Sequence, residues 1–66
     1  MFNEYDVVVA NRELSKNVPA GSIGTVLIVH DPGVAYLVEF TEGIETLDLL
    51  TVRDEDLTLV KEDVAR

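Results

Sequence analysis

The stretch VPAGSIGTVLIV, residues 18–29, places two glycines directly before a run of apolar, β-prone residues. A phosphate-binding glycine loop has either the pattern Gly-x-x-x-x-Gly-Lys-Ser/Thr or Gly-x-Gly-x-x-Gly, and a helix follows it. Here Gly21 and Gly24 are separated by two residues, no lysine follows them, and the next element is a predicted strand. We therefore interpret both glycines as structural residues at the corner where a long loop turns into a buried strand.

The strongest strand pattern in the chain covers residues 24–30, GTVLIVH. Other short runs that are rich in β-branched and aromatic residues also predict strands. These runs cover residues 5–10, 35–40, 44–52 and 58–60. Within residues 44–52 the adjacent Leu49 and Leu50 interrupt the alternation, which indicates a bulge or a strand covered on both faces.

Turn chemistry separates the predicted strands. Asp31-Pro32-Gly33 favours a tight turn, because proline presets φ at the second position and glycine accepts a positive φ at the third. Thr41-Glu42-Gly43 predicts a second hairpin turn with Gly43 in the left-handed conformation. Residues 11–20 lack apolar periodicity and predict a long loop, with one short helical turn at residues 13–16.

The order of these elements predicts an all-β fold. Residues 53–57, RDEDL, are typical of a single helical turn before the last strand. Because 66 residues are too few for two full sheets, we predict a small five-stranded SH3-like barrel with one short helical turn before the last strand. The predicted domain spans residues 5–60, and residues 61–66 form a polar C-terminal tail. The alternation predicts a core of Val7, Val9, Val26, Ile28, Tyr36, Val38, Phe40, Leu50, Leu57 and Val60.

The glycine corner is similar to an element of known small barrels. AGSIGTVLIV resembles the corner of KOW and related SH3-like barrels, in which Gly-x-x-Gly-x-Val leads into a central strand. Together with EYDVVV, YLVEF, LLTV and DEDLTLV, it makes the chain resemble a family of small bacterial proteins of unknown function. The resemblance covers residues 5–60 and departs from the family pattern at Ser22, where aspartate is common. It implies an SH3-like barrel in the bacterial cytoplasm, and it implies no activity.

The charge balance disfavours several classes of partner. Thirteen carboxylates face five cations, and the net charge is −8. Nucleic-acid binders usually present a basic face, whereas the cations Arg12, Lys16, Arg53, Lys61 and Arg66 are scattered along this chain. We therefore expect a protein partner that is more basic than this chain, and neither a nucleic acid nor a membrane. The absence of a membrane-length apolar run and of a secretion signal predicts a cytoplasmic protein.

No group of residues has the pattern of a catalytic or metal-binding site. The chain lacks cysteine, which removes disulfides and thiolate metal sites. His30, beside Asp31, is interpreted as the solvated flank of a turn. The cluster Asp54-Glu55-Asp56 lacks the glycine and later glutamate of a calcium loop, so we interpret it as helix capping and solvated charge. We expect no enzymatic activity, no catalytic residue, no cofactor and no metal.

The remaining features favour an interaction module. Glu39 and Asp48 are predicted to share the outer face of the barrel, and Arg12 to bridge to this acidic face from the long loop. These are the candidate partner-binding residues, whereas Gly21, Gly24, Gly33 and Gly43 are assigned to structural turns. The favoured function is non-enzymatic binding of a more basic protein, as antitoxins and immunity proteins do. Two alternatives stay open: a nucleic-acid- or ribosome-associated KOW-like module, and a minor accessory subunit of a larger enzyme.

Overall fold

The computed structural model describes residues 1–61, and its strands form one antiparallel sheet. The strands are β1 (Val7–Ala10), β2 (Ile23–Asp31), β3 (Ala35–Glu42), β4 (Glu45–Arg53) and β5 (Leu57–Lys61). A single 3-10 turn, η1 (Asp54–Asp56), precedes β5. The prediction of an all-β fold with five strands and one helical turn before the last strand is confirmed. Residues 62–66 of the predicted tail lie outside the described residues.

The strands are ordered β4-β3-β2-β1-β5, so β4 and β5 are the two edges. Between residues 1 and 61 no ladder joins these edges, and the sheet is open. η1 is the chain segment that links the edge strands β4 and β5. Two backbone hydrogen bonds hold it in place: Asp54 N–H donates to Val34 O at 2.9 Å, and Asn11 N–H donates to Asp56 O at 2.8 Å. This connection is compatible with an SH3-like barrel, which stays a prediction.

One face of the sheet, here called the inner face, carries the core. It includes the fully buried Val8, Val26, Tyr36, Val38 and Phe40. The complete set of buried apolar residues in the described chain is Phe2, Val8, Ala10, Val18, Val26, Tyr36, Val38, Phe40, Val52 and Leu57. Two of them, Phe2 and Val18, belong to no strand, so the N-terminal segment and the long loop complete a core that the sheet alone leaves open.

The prediction that Val7 and Val9 fill the core is wrong. Both are half-buried on the opposite, outer face, whereas Val8 and Ala10 are buried. Because VVVA is apolar at every position, alternation cannot decide which side faces inward. The pairing with β2 decides it, since Val8 lies opposite the buried Gly24.

The predicted core positions of Ile28 and Val60 are also wrong, since these side chains are 44% and 53% exposed. The β2–β3 register shifts between Val26 and Ile28. This bulge moves Ile28 to the outer face and brings Val29 against the core. The ladder between β1 and β5 contains a second register shift, which alternation along β5 does not reveal.

The long loop packs against the core through Val18, which is fully buried. Leu14 N–H donates to Val18 O at 2.9 Å, and Val18 N–H donates to Ser15 O at 3.0 Å. These bonds form a tight turn, so the predicted helical turn at residues 13–16 is wrong. The turn places the Val18 side chain in the core, and this burial favours the turn over a helix in an otherwise polar loop.

The Asp31-Pro32-Gly33 turn has the predicted chemistry. Val34 N–H donates to Asp31 O at 2.8 Å, and Gly33 has a φ of 76°. Gly33 thus occupies the third position of a turn that requires a positive φ, with Pro32 before it.

Gly24 is required for a different reason, because it lies within β2 and has no positive φ. A Cβ atom at this position would lie 2.6 Å from Val38 Cγ1 and 2.8 Å from Phe40 Cδ1. The side chains of β3 therefore lie directly over the backbone of β2, in space that any other residue would occupy.

Replacing this glycine tests the close packing. We expect Gly24→Ala to lower the free energy of unfolding by about 1–3 kcal/mol, because the added methyl group overpacks the core. Urea denaturation measures the loss. In a double-mutant cycle, the cost of Gly24→Ala should fall in a Val38→Ala background, which removes one of the two clashing groups. An alanine variant as stable as the parent chain would contradict this account.

Candidate functional site

The prediction that Glu39 and Asp48 share the outer face is wrong. Glu39 pairs with Leu49 on the outer face, whereas Asp48 pairs with Phe40 and therefore lies on the inner side. The register of β3 and β4 shifts between Phe40 and Thr41. Sequence alternation cannot anticipate this shift, because it depends on how two distant strands are paired.

Asp48 connects β4 to the long loop. Its Oδ2 accepts a hydrogen bond from Ser15 Oγ at 2.9 Å, and its Oδ1 accepts one from Leu49 N–H at 3.0 Å. Both oxygens therefore have partners within the chain, and this carboxylate holds the loop in place.

The prediction that Arg12 bridges to an acidic face formed by Glu39 and Asp48 is also wrong. Arg12 Nε donates to Asp56 Oδ1 at 2.9 Å. The Asp56 side chain is only 7% exposed, and its Oδ2 accepts a bond from Arg53 N–H at 3.1 Å. Arg12 thus joins the loop to η1.

The end of the β3–β4 hairpin concentrates negative charge. We call residues 39–48 the acidic hairpin, because they include four carboxylates, Glu39, Glu42, Glu45 and Asp48, and no lysine, arginine or histidine. Glu42 and Glu45 lie directly opposite each other. Like charges in this position are destabilising, and among the described residues neither glutamate belongs to an ion pair. Ile44 between them is fully exposed, at 103%.

Sequence reasoning missed Glu42, Glu45 and Ile44 as a group. The predicted turn at residues 41–43 lies one to two positions before the observed loop, which consists of Gly43 and Ile44. Glycine at the first position of a two-residue hairpin loop is a known signal, and here Gly43 has a φ of 63°. Applied to Gly43-Ile44, that signal places the two glutamates opposite each other.

A shallow groove of about 360 Å³ lies beside the acidic hairpin. Residues from the end of the long loop and the start of β2 form one wall, and Thr41, Glu42 and Leu47 form the other. Glu42 contributes to both the groove and the hairpin end, so the two surfaces are continuous.

The outer face of the sheet consists mainly of aliphatic and threonine side chains. By strand pairing, its apolar members are Val7, Val9, Ile23, Ile28, Leu37 and Leu49. Its threonines are Thr25, Thr41, Thr46, Thr51 and Thr58. Away from the strand ends, Glu39 is the only carboxylate on this face of the described chain. The middle of the outer face is therefore uncharged except for Glu39, and the cation Arg53, which pairs with Ala35, lies at a strand end.

Tyr36 and Asp54 form the one pair with shifted pKa values among the described residues. The Tyr36 hydroxyl accepts bonds from Phe2 N–H at 3.1 Å and Gly33 N–H at 2.9 Å, and it donates to Asp54 Oδ1 at 2.7 Å. Burial, followed by the bond to Asp54, raises the pKa of Tyr36, and the donated bond lowers the pKa of Asp54. Shifted pairs are candidates for catalysis, but the Tyr36 hydroxyl is fully engaged with the chain, so we interpret this pair as structural.

Residues 1–61 contain neither a metal-binding cluster nor a membrane-spanning helix. No three histidine or carboxylate side chains in this part of the chain are arranged to hold a metal ion. No helix in it has the length and apolar character needed to cross a membrane.

Residues 4–59 match a family described as a domain of unknown function, DUF4926. The chain belongs to this family. The match extends from before β1 into β5, and it confirms the resemblance to a family of unknown function that the glycine corner and the later motifs indicate. No curated protein and no solved structure matches this DUF4926 chain.

The opposed glutamates should reduce the stability of this DUF4926 domain. We expect Glu42→Gln to raise the free energy of unfolding by about 0.2–1 kcal/mol, because it removes a like-charge cross-strand pair. Urea denaturation at low ionic strength measures the gain, which should shrink as salt screens the repulsion. Glu4→Gln, at an exposed position outside the hairpin, is the control with the same change of net charge. An equal gain in both variants would assign the effect to net charge alone.

Removing the Tyr36 hydroxyl should destabilise the domain in a pH-dependent way. We expect Tyr36→Phe to cost about 1–3 kcal/mol at neutral pH, because two backbone N–H groups lose their acceptor and Asp54 keeps only its ion pair with the N-terminal ammonium group. The lowered pKa of Asp54 adds stability that is lost as the pH falls through that pKa. The raised pKa of Tyr36 adds stability that is lost as the pH rises through it.

The stability difference between the parent chain and Tyr36→Phe should therefore be largest near neutrality. Urea denaturation at about pH 3, 7 and 11 tests this expectation. Tyr5→Phe removes the same atom from an exposed side chain and is the matched control. A pH-independent difference would show that the pair contributes packing only.

Proposed function

We propose that this DUF4926 domain is a non-enzymatic, cytoplasmic interaction module that binds a more basic protein through the acidic hairpin. The observation that carries the proposal is the hairpin end, where Glu42 and Glu45 lie opposite each other beside the exposed Ile44. A basic partner would neutralise the opposed charges and cover the isoleucine in one contact.

The distribution of carboxylates supports this proposal more than the net charge does. Asp48, Asp54 and Asp56 accept hydrogen bonds that organise the loop, Tyr36 and η1. Glu42 and Glu45 accept no hydrogen bond from any described residue, and their repulsion works against the hairpin. Charge placed where it weakens the fold is typical of a surface selected for binding. A negative electrostatic potential also accelerates the encounter with cationic proteins.

The favoured partner is a basic protein of the kind that antitoxins and immunity proteins bind. Binding to nucleic acid is less well supported, because Arg12 is paired with Asp56, and the outer face has the carboxylate Glu39 near its centre and Arg53 only at a strand end. A larger enzyme that takes this domain as an accessory subunit is a second class of partner for the same surface.

Site-specific photo-crosslinking tests the proposal. A benzophenone amino acid replaces Ile44 at the hairpin end, and in a second chain it replaces Val34, which is 53% exposed in the turn at the other end of β3. In cells that express the chain, we expect the probe at position 44 to form an adduct with one basic protein, and the probe at position 34 to form none with it.

Charge variants provide the matched control. Glu42→Gln with Glu45→Gln should abolish the adduct, whereas Glu4→Gln with Glu13→Gln makes the same change of net charge elsewhere and should retain it. Equal labelling from positions 34 and 44, or an adduct that survives the hairpin variant, would refute binding through the acidic hairpin.

A further inference from the structure

We propose that the outer face around Glu39 docks an apolar surface of the partner from which one arginine projects to pair with Glu39. This inference deepens the proposed function and rests on it. It assigns the outer face, and not only the hairpin end, to recognition, and it specifies the chemistry of the group that the face receives.

Glu39 is surrounded by uncharged side chains on the outer face. Across the sheet it lies between Thr25 and Leu49, and Leu37 and Thr41 are the next residues of β3 on the same face. Its side chain is half-buried. The carboxylate therefore stands near the centre of an otherwise aliphatic and hydroxyl-bearing surface.

Glu39 keeps unused capacity to accept hydrogen bonds. Thr46 Oγ1 donates to its Oε2 at 2.6 Å, and the described residues supply no other donor and no cation. Arg53 lies on the same face beside Ala35, four residues further along the strand pair, which corresponds to about 13 Å. Threonine orients the carboxylate and leaves one oxygen open to an incoming group.

A partner that covers the outer face must match both its apolar side chains and the carboxylate of Glu39. An apolar surface would bury the isoleucine and leucine side chains but would leave the carboxylate desolvated, which is costly unless it is paired. A cation in the centre of that surface removes the cost. Arginine suits the position better than lysine, because its planar guanidinium is weakly hydrated and forms directional bonds with a carboxylate.

Other occupants fit the face poorly. A second copy would bring two chains of charge −8 together, and a symmetric contact centred on this face would place one Glu39 near the other. A phosphate-bearing surface would be repelled by Glu39, because no cation of the described chain lies next to this carboxylate. A basic protein surface with apolar surroundings is the occupant that matches both the charge and the aliphatic side chains.

Titration with a small probe tests the chemistry directly. The probe is the peptide N-acetyl-Leu-Arg-Leu-amide, and its binding is followed by the amide chemical shifts of the isotopically labelled full chain. The control is the same peptide with citrulline, a neutral isostere, in place of arginine. We expect saturable shifts at Leu37, Glu39 and Leu49, and an affinity about tenfold lower for the citrulline peptide.

Two variants locate the recognition group. Glu39→Gln retains an oxygen for Thr46 and should weaken binding of the arginine peptide about tenfold, to the level of the citrulline peptide. Glu4→Gln makes the same change at an exposed position outside the acidic hairpin and should alter the affinity by less than about twofold. Shifts that are absent, that centre on residues 42–45, or that ignore Glu39→Gln would overturn the inference.

The outcome is separable from that of the proposed function. If the adduct from position 44 forms and Glu39→Gln leaves its yield unchanged, the hairpin binds the partner and the outer face does not. If the free chain forms a dimer that Glu39→Gln strengthens, the face belongs to a second copy, and the inference is likewise overturned.

Discussion

The missing side chain at Gly24 is the constraint on which the core depends. Val38 and Phe40 occupy the space where a Cβ atom of that residue would lie, so β3 packs its side chains directly over the backbone of β2. This contact joins the central strand β2 to its neighbour β3. Because interiors are packed as densely as molecular crystals, even one methyl group at this point has no free volume to enter. Gly24 is thus required by packing, whereas Gly21, with a φ of 90°, is required by the turn before β2.

Two classes of carboxylate follow from this fold. Asp48 accepts a hydrogen bond from Ser15 of the long loop, Asp54 accepts one from Tyr36, and Asp56 accepts one from Arg12 of the loop. These bonds stabilise segments that the short strands leave unpaired. The glutamates at the hairpin end stabilise nothing in the described chain and repel each other. The carboxylates therefore divide into a group that stabilises the fold and a group that does not, and the second group lies beside the exposed Ile44.

Local signals predicted the elements well, and pairing decided the faces. Pro32 with Gly33 marked one turn because proline and positive-φ glycine act on their own backbone. The inward side of β1 was not predictable, since VVVA is apolar throughout, and the bulge after Val26 reverses the side on which Ile28 lies. The candidate site failed for the same reason: Glu39 and Asp48 were placed on one face by alternation, and the register shift in the hairpin separates them.

The sequence by itself determined the all-β class, the five strands, the helical turn before the last strand and the excess of negative charge. These properties depend on residue type and on neighbours close in the chain. Tertiary structure alone decided which side each strand buries, which carboxylates are already bonded, and that Glu39 lies near the middle of the outer face among aliphatic and threonine side chains. Those properties depend on register between strands, and register is set by contacts such as those of Gly24 with β3, between residues far apart in the chain.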